Sequence, residues 1–460
     1  MSDLSQADPE VFGVITREEQ RQQDTLSMIP SENFFSPAVR EAVGSVFMHK
    51  YAEGNIGARY YEGNELVDEL ETIAISRAKQ AFRLPADWGV NVQALAGSNA
   101  NLAVYLAVLE PGDTMMAMYL PDGGHLSHGW SFEPKKSKRA EEAGSLVYTG
   151  GSRKVNITSR MFNVVQYKTT PQTRQFDYGE MEKIAHAYKP KLIITGGTAY
   201  PRDIDHQRVR AIADSVGALY LADIAHEAGL VAAGVLTSPV GVADIVSLTT
   251  HKTLRSGRGA LIMAHEELIT KINRGVLPGL QGGPFNHCIA GIAVGLGEAL
   301  QPEFQVYAQQ VLSNAKALAQ FLHGHGFTVV SGGTDKHLIL LDLTDKPLLG
   351  KKFARALRHA GIVANANTMP QEQQTPADPS AVRLGTPWLT TRGMMEDEMQ
   401  QIAGWINEVM DIAAPWHELE FEAFEEQVAQ SPAIAAIAGQ VKELCQRFPL
   451  SLEAGATLTA

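Results

Sequence analysis

The sequence predicts an α/β fold, with a large domain on a mostly parallel, seven-stranded type of sheet and a smaller α+β domain towards the C-terminus. Three observations carry that prediction. Between Asn91 and Met263, short apolar runs alternate with amphipathic segments of helical length. The apolar runs end in small or polar turns, as strands of a sheet covered on both faces do. Around Pro302 the composition shifts, and shorter strands and helices follow in a different order. The 460 residues, 45% apolar and 20% charged, are enough for two domains with sizeable cores.

Residues 1–27 read as a polar arm with a helical hint, or equally as a frayed terminus. The large domain is expected over residues 28–285. Ser36 and Pro37 are an N-cap and a first-turn proline, predicting a helix to Phe47. From Asn64 to Phe82, the residues Leu66, Val67, Leu70, Ile73, Ala74 and Ala78 recur at helical spacing and are expected in the core. Asn91 to Leu109 reads as strand, small-residue turn and helix. The tract Trp130 to Lys154 is charged and glycine-bearing, predicting an exposed loop or short helix. A strand begins near Val164, followed by helix Tyr178 to Tyr188, strand Leu192 to Thr195 and helix Asp205 to Val216. Further strands are expected before Asp223, at Ile245 to Leu248 and at Ala260 to Met263. Residues 286–460 are expected to hold a linking helix, Phe285 to about Leu300, and then the small domain. In that domain the strands are Thr328 to Val330 and Leu338 to Leu343, with helices at Lys351 to His359 and Met395 to Ile412.

Composition narrows the function. A net charge of −12, with no basic stripe among aromatics, leaves little support for nucleic-acid binding. Cys288 and Cys445 belong to no metal-ligand cluster, and two cysteines in so long a chain predict a reducing, cytoplasmic setting. The stretch MSDLSQADPEVFG lacks the apolar core of a secretion signal, and no apolar run reaches the length of a membrane span.

The chemistry centres on Lys252. Most lysines are solvated surface charges. This one follows an apolar strand and sits among Thr249, Thr250, His251 and Thr253, with Gly257 and Gly259 leaving open backbone nearby. A lysine desolvated in such a place has a lowered pKa and can condense with an aldehyde. Asp223 ends the preceding strand, in ALYLADIAHEAG, and ligands of open α/β sheets gather beyond the strands' carboxyl ends. Alone, Asp223 reads as a helix cap. Paired with a lysine, it suits pyridoxal phosphate, which needs an amine for its aldehyde and a carboxylate to keep its ring nitrogen protonated.

Gly97, Ser98 and Asn99 at a helix start offer amides to a phosphate, though such residues also simply cap helices. His125 and His128 lie in a glycine-flanked loop; with no third ligand in sight, His125 reads as a ring stacked on an aromatic cofactor rather than a metal ligand. Tyr51, Glu53, Arg59, Tyr60 and Tyr61 crowd a loop that reads as solvent-facing or as a site wall. Arg383, in VRLGTPWLTTRG, is either a surface ion pair or a carboxylate clamp.

The stretches SENFFSP, YAEGNIGARYYEG, AGSNANLAVY, GGHLSHG, ADIAHEAGLVAAG, TTHKTLRSGRGALI, LPGLQGGP, VVSGGTDKHL and VRLGTPWLTTRG resemble serine hydroxymethyltransferase, from about Leu26 to Pro449. The resemblance implies a type I pyridoxal-phosphate fold, and a homodimer or homotetramer whose sites draw on two subunits. It assigns the internal aldimine to Lys252, the ring nitrogen to Asp223, ring stacking to His125, and the phenolate side to Thr198 and His226. The phosphate falls to Gly97 and Ser98, with Tyr51 and Gly283 from the other subunit, while Thr249 and His251 join the cofactor contacts around Lys252. Arg383 and Ser31 are to hold the amino-acid carboxylate, and Glu53, with Tyr61 beside it, to transfer the proton. Leu120, Leu126 and Asn367 join the substrate and folate contacts. The implied reaction passes the serine hydroxymethyl carbon to tetrahydrofolate by way of an external aldimine and a quinonoid. Trp130 to Lys154 looks longer than the family's segment, which keeps open a related enzyme acting on another β-hydroxy amino acid, such as α-methylserine or threonine. A non-catalytic scaffold is a third reading, opposed by the retained pairing of Lys252 with Asp223.

Overall fold

The structure, a computed structural model, describes residues 3–132, 146–151 and 153–450. Its large sheet is made of β1 (Trp88–Asn91), β2 (Thr114–Met118), β3 (Val147–Tyr148), β4 (Asn163–Tyr167), β5 (Leu192–Thr195), β6 (Leu219–Asp223), β7 (Ile245–Thr249) and β8 (Ala260–His265). The order across it is β1-β8-β7-β6-β5-β2-β4-β3. The run from β7 to β4 is parallel. By contrast, β8 opposes both its neighbours and β3 opposes β4. Every residue of β5 and β7 is buried, which explains why they read as unbroken apolar runs rather than alternating ones.

The sheet has eight strands where seven were expected, and the addition, β3, comes from the tract taken for a loop or short helix. It is only two residues long, too short to leave a periodic signal. Within the same tract, Ser131–Phe132 pairs antiparallel with Arg153–Lys154. Residues 133–145 and 152, the bulk of the apparent insertion, lie outside the described residues.

Among the helices, α1 (Pro9–Asp24) is capped by Asp8, whose carboxylate accepts from the Val11 amide at 3.0 Å, and it buries no residue. The helix opened by Ser36 is shorter than expected, Pro37–Val43, and a 3₁₀ turn over Val46–His49 carries the chain on. In α2 (Glu65–Ala81) the buried face is Val67, Glu71, Ala74, Ala78 and Ala81. Leu66 and Ile73, expected in the core, are 68% and 37% exposed. The helix instead turns Glu71 inward, where its carboxylate meets the Arg59 guanidinium at 3.0 Å and the Gln93 amide at 3.1 Å. Further on, α3 (Gly97–Val108) leads from β1 towards β2, and α4 (Asn286–Ala299) packs on α2 and on the helix Pro37–Val43.

A second sheet, β9 (Thr328–Val329), β10 (Leu338–Asp342), β11 (Asn365–Asn367) and β12 (Ala381–Gly385), is antiparallel in the order β9-β10-β12-β11. Its core includes Leu341, Phe353, Leu384 and Ile406, and also Leu26, Met28 and Phe34 from near the N-terminus. Those residues reach it because Leu26–Ser27 pairs parallel with Ile362–Val363. The long helix α5 (Pro302–Gly324) gives Phe304, Val311 and Leu312 to the first sheet's core, and Leu318 and Leu322 to the second's. No helix among the described residues is long and apolar enough to cross a membrane.

Arg392 fastens the two ends of the chain. Its buried guanidinium donates to the carbonyls of Gln22, Gln23 and Thr25 and to those of Cys445 and Phe448, at 2.6 to 3.3 Å. Replacing it takes a buried donor from all of those carbonyls at once, with only the Cys445 carbonyl, among the described residues, keeping a second donor, the Phe448 amide. Arg392→Met is expected to cost about 2 kcal/mol or more and to release residues before Leu26 to limited proteolysis, read by mass spectrometry and denaturant melts.

Candidate active site

The parallel strands deliver their carboxyl ends to one edge of the sheet, and there the chain's polar groups collect. A cavity of about 210 Å³ lies at this edge, with Asp223 from the end of β6 and Lys252 from the turn after β7 in its wall. Gly97 and Ser98 of α3, His125, Thr198, His226, Thr249 and His251 complete much of the lining.

Lys252 is 9% exposed. Burial lowers its ammonium pKa to about 8, with Arg383 and Arg258 pushing the same way and Asp223 and Glu227 resisting. A usable share of the amine is therefore unprotonated near neutral pH.

Burial pushes the Asp223 carboxyl up, but its hydrogen-bond partners prevail and hold it well below the ordinary carboxylate range. Its Oδ2 accepts from Asn101 Nδ2 at 2.8 Å and faces His128 Nε2 at 3.0 Å, while Oδ1 accepts from the Ala225 amide at 3.0 Å. Gly196, at φ +112°, makes room for it: a side chain there would stand 2.0 Å from the Asp223 carbonyl. The sequence offered no third group near the two histidines; Asp223 is that group, and its carboxylate and the two imidazoles lie within 4.8 Å of one another.

His125 is kept neutral, burial first and the neighbouring His128 second lowering its pKa to about 4. Its Nδ1 contacts Ser127 Oγ at 2.7 Å, which fixes the ring's orientation. Burial also lowers His251 to about 3, and its Nδ1 has no partner among the described residues. His226 is fully enclosed, its Nδ1 3.3 Å from His337 Nε2. Thr249 donates to the Ala225 carbonyl at 3.0 Å, tying the end of β7 to the turn after β6.

At the head of α3, a side chain on Gly97 would strike the Thr249 methyl at 2.6 Å, so glycine lets the helix start against β7. Its first amides lack partners within the helix, the usual condition of a helix N-terminus. Thr198 donates to Gly124 O at 3.1 Å, and its carbonyl accepts from Arg383 Nη1 at 2.5 Å. Arg383, on β12, also donates Nε to Asn365 Oδ1 at 3.0 Å, and burial lowers its pKa to about 10. It thus stands one hydrogen bond from the cavity wall.

Other candidates lie apart from the cavity. Tyr51, Glu53, Tyr61 and Gly283 form a patch of their own: the Tyr51 and Tyr61 rings meet edge to face at 5.6 Å, and a side chain on Gly283 would touch Tyr51 and Glu53 at 3.5 Å. Tyr51 is 62% and Tyr61 48% exposed. Ser31 follows Pro30, which packs on Gly385 at the end of β12. Leu120 opens the short turn Leu120–Asp122, and Leu126, in the turn Leu126–His128, is exposed. Asn367 closes β11 and donates to the Thr368 carbonyl at 2.6 Å.

Sequence reasoning passed over Asn101 and Arg258. Asn101 holds Asp223, Ser127 and Ser247 together from inside α3. A polar residue on the otherwise apolar face of NANLAVYLAV is the signal that could have exposed it. Arg258 lines the cavity beside Lys252, hidden in sequence by its glycine-rich surroundings.

The family model for serine hydroxymethyltransferase matches residues 4–406. A protein of that name from Acidothermus cellulolyticus is 48% identical over 446 residues, which cover 97% of this chain and 96% of that one. Those from Alkalilimnicola ehrlichii and Myxococcus xanthus are 48% and 47% identical, each covering 97% of both chains. On that extent and identity, joined to the lysine and aspartate at one sheet edge, the chain belongs to the serine hydroxymethyltransferase family.

Proposed function

We propose that the protein carries the hydroxymethyl carbon of serine to tetrahydrofolate, giving glycine and 5,10-methylenetetrahydrofolate reversibly, with pyridoxal phosphate as its cofactor. The observation that carries this is a cavity shared by a lysine whose pKa burial lowers to about 8 and an ionised aspartate, in a chain of this family.

The residues fit pyridoxal phosphate. The Lys252 amine has a lowered pKa, Asp223 offers a buried negative charge, and the open amides of Gly97 and Ser98 suit a phosphate. The orphaned His251 Nδ1 gives a buried polar atom that a ligand would satisfy. When bound, the cofactor supplies an aldehyde for the amine and a ring that takes up the electron pair released at Cα.

In this reading Lys252 would hold the cofactor's aldehyde, and the amino acid's amine would take its place there. Asp223, kept anionic by Asn101 and His128, secures the proton on the ring nitrogen. His125, kept uncharged by burial, would stack on the ring, and Thr198 and His226 would hold its phenolate side. Gly97 and Ser98, flanked by Thr249 and His251, receive the phosphate. Arg383 turns a guanidinium edge to the serine carboxylate, with Ser31 as second donor. Glu53 takes and returns the proton of the serine hydroxyl, Tyr61 beside it. Leu120, Leu126 and Asn367 face substrate and folate.

The protein is proposed to work as a homodimer or homotetramer in the cytoplasm, with Tyr51, Glu53, Tyr61 and Gly283 serving the cavity of a second copy. What supports the sharing is their grouping in one patch outside the cavity of their own chain, with Tyr51 and Tyr61 exposed and Glu53 and Gly283 half-buried.

Borohydride is expected to fix the cofactor on the Lys252 peptide of the wild-type chain, and Lys252→Ala to abolish the visible band of the lysine-bound cofactor; a retained band overturns the lysine assignment. Glu53→Gln should keep the cofactor while slowing serine cleavage ~100- to 10,000-fold. Tetrahydrofolate added to the glycine complex should strongly enhance a red-shifted absorption band. If folate leaves that spectrum unchanged, the folate assignment falls, and aldol cleavage of other β-hydroxy amino acids becomes the activity to assay.

A further inference from the structure

Behind the cavity lies a charged pair that the proposed reaction does not use. Lys336 Nζ is 2.5 Å from Glu227 Oε1, and the two side chains are only 2% and 6% exposed. The ammonium also stands 5.5 Å from the centre of the Tyr200 ring, while Glu227 Oε2 has no hydrogen-bond partner among the described residues.

The pair joins two halves of the site. Glu227 follows Asp223 and His226 in the turn after β6, whereas Lys336 immediately precedes His337 and β10. Two successive residues on one side therefore grip two on the other, since His226 and His337 stack with ring centres 5.5 Å apart. Next in line, the Asp335 carboxylate accepts from Arg202 and from the Asp203 amide, each at 3.1 Å. On the far side, β10 pairs with β12, placing Leu340 opposite Arg383.

A buried ion pair contributes little net stability compared with an apolar pair of the same shape, so its presence calls for another account. We propose that Glu227 and Lys336 are positioning residues for the site: they pin the turn that follows Asp223 and bears His226 to the strand beside Arg383, and Lys336 offsets part of the Glu227 charge that acts on the Lys252 amine. This rests on the reading of Lys252 as the cofactor lysine.

The charges acting on Lys252 come from several elements. Asp223 and Glu227 favour its protonated form, and Arg258 and Arg383 oppose it. The imidazoles of His125, His226, His251 and His337 also face it, all held neutral chiefly by burial. Glu227 is thus the second carboxylate within reach, and the one that carries its own counter-ion.

The experiment follows the rate at which the cofactor-free full chain takes up pyridoxal phosphate, measured by absorbance against pH, since only the unprotonated amine reacts. The wild-type midpoint is expected near 8. In Glu227→Gln the stranded Lys336 cation should lower it, and in Lys336→Gln the stranded carboxylate should raise it, each by on the order of half a unit or more. The double variant should return towards wild type. Merely structural loss would lower the melting temperature without moving the midpoints in opposite directions, so midpoints that stay put or move together overturn the proposal. Should Lys336→Gln not fold, Glu227→Gln still decides, because an unchanged or raised midpoint contradicts it. A wild-type chain that takes up no cofactor would overturn the cofactor reading instead.

Discussion

A carboxylate buried at the end of a parallel strand is the constraint on which the rest of the site depends. Taking Asp223 out of water is costly, and the protein offsets that cost with donors drawn from unrelated elements. Asn101 must come from α3, His128 from the loop after β2, and the Ala225 amide from the turn after β6. Each of those elements also carries cavity lining: Gly97 and Ser98, His125, and His226. Satisfying one charge therefore fixes the mutual position of several groups that a cofactor would touch. Gly196 belongs to the same constraint, since only the absence of a side chain lets its strand end pass so close to the Asp223 backbone.

Much of this was legible in the sequence where the signal was local. Tyr178–Tyr188 and Leu192–Thr195 appear with the expected bounds, because an aspartate cap and an unbroken apolar run mark them independently. Asp223 and Lys252 were legible for the same reason, as polar residues where apolar runs stop. The buried face of α2 was legible only in part: Val67, Ala74 and Ala78 are buried as expected, whereas Leu66 and Ile73 are exposed and Glu71 turns inward to meet Arg59 and Gln93, residues outside the helix. Contacts such as His128 with Asp223, 95 residues apart, or Asn101 with Asp223, 122 apart, leave no trace in spacing. The edge strand β3 failed differently: at two residues it has no period to detect, and register against β4 alone defines it.

Arg383 illustrates what burial without a counter-charge does to a guanidinium. In this structure its donors meet neutral oxygens, the Thr198 carbonyl and Asn365 Oδ1, and no carboxylate among the described residues pairs with it. Burial disfavours the cation, so an incoming carboxylate would relieve a cost already present. An arginine keeps its charge in such a place better than a lysine would, because a lysine's pKa gives way more readily on burial.

The helix α5 contributes its first half to one hydrophobic core and its second half to the other. A rod shared in this way makes the two cores mutual templates: neither sheet can shed its covering layer without stripping part of the other's. Partial unfolding that spares one sheet is disfavoured, and during synthesis the large sheet must wait for residues well beyond its last strand before its own core is closed.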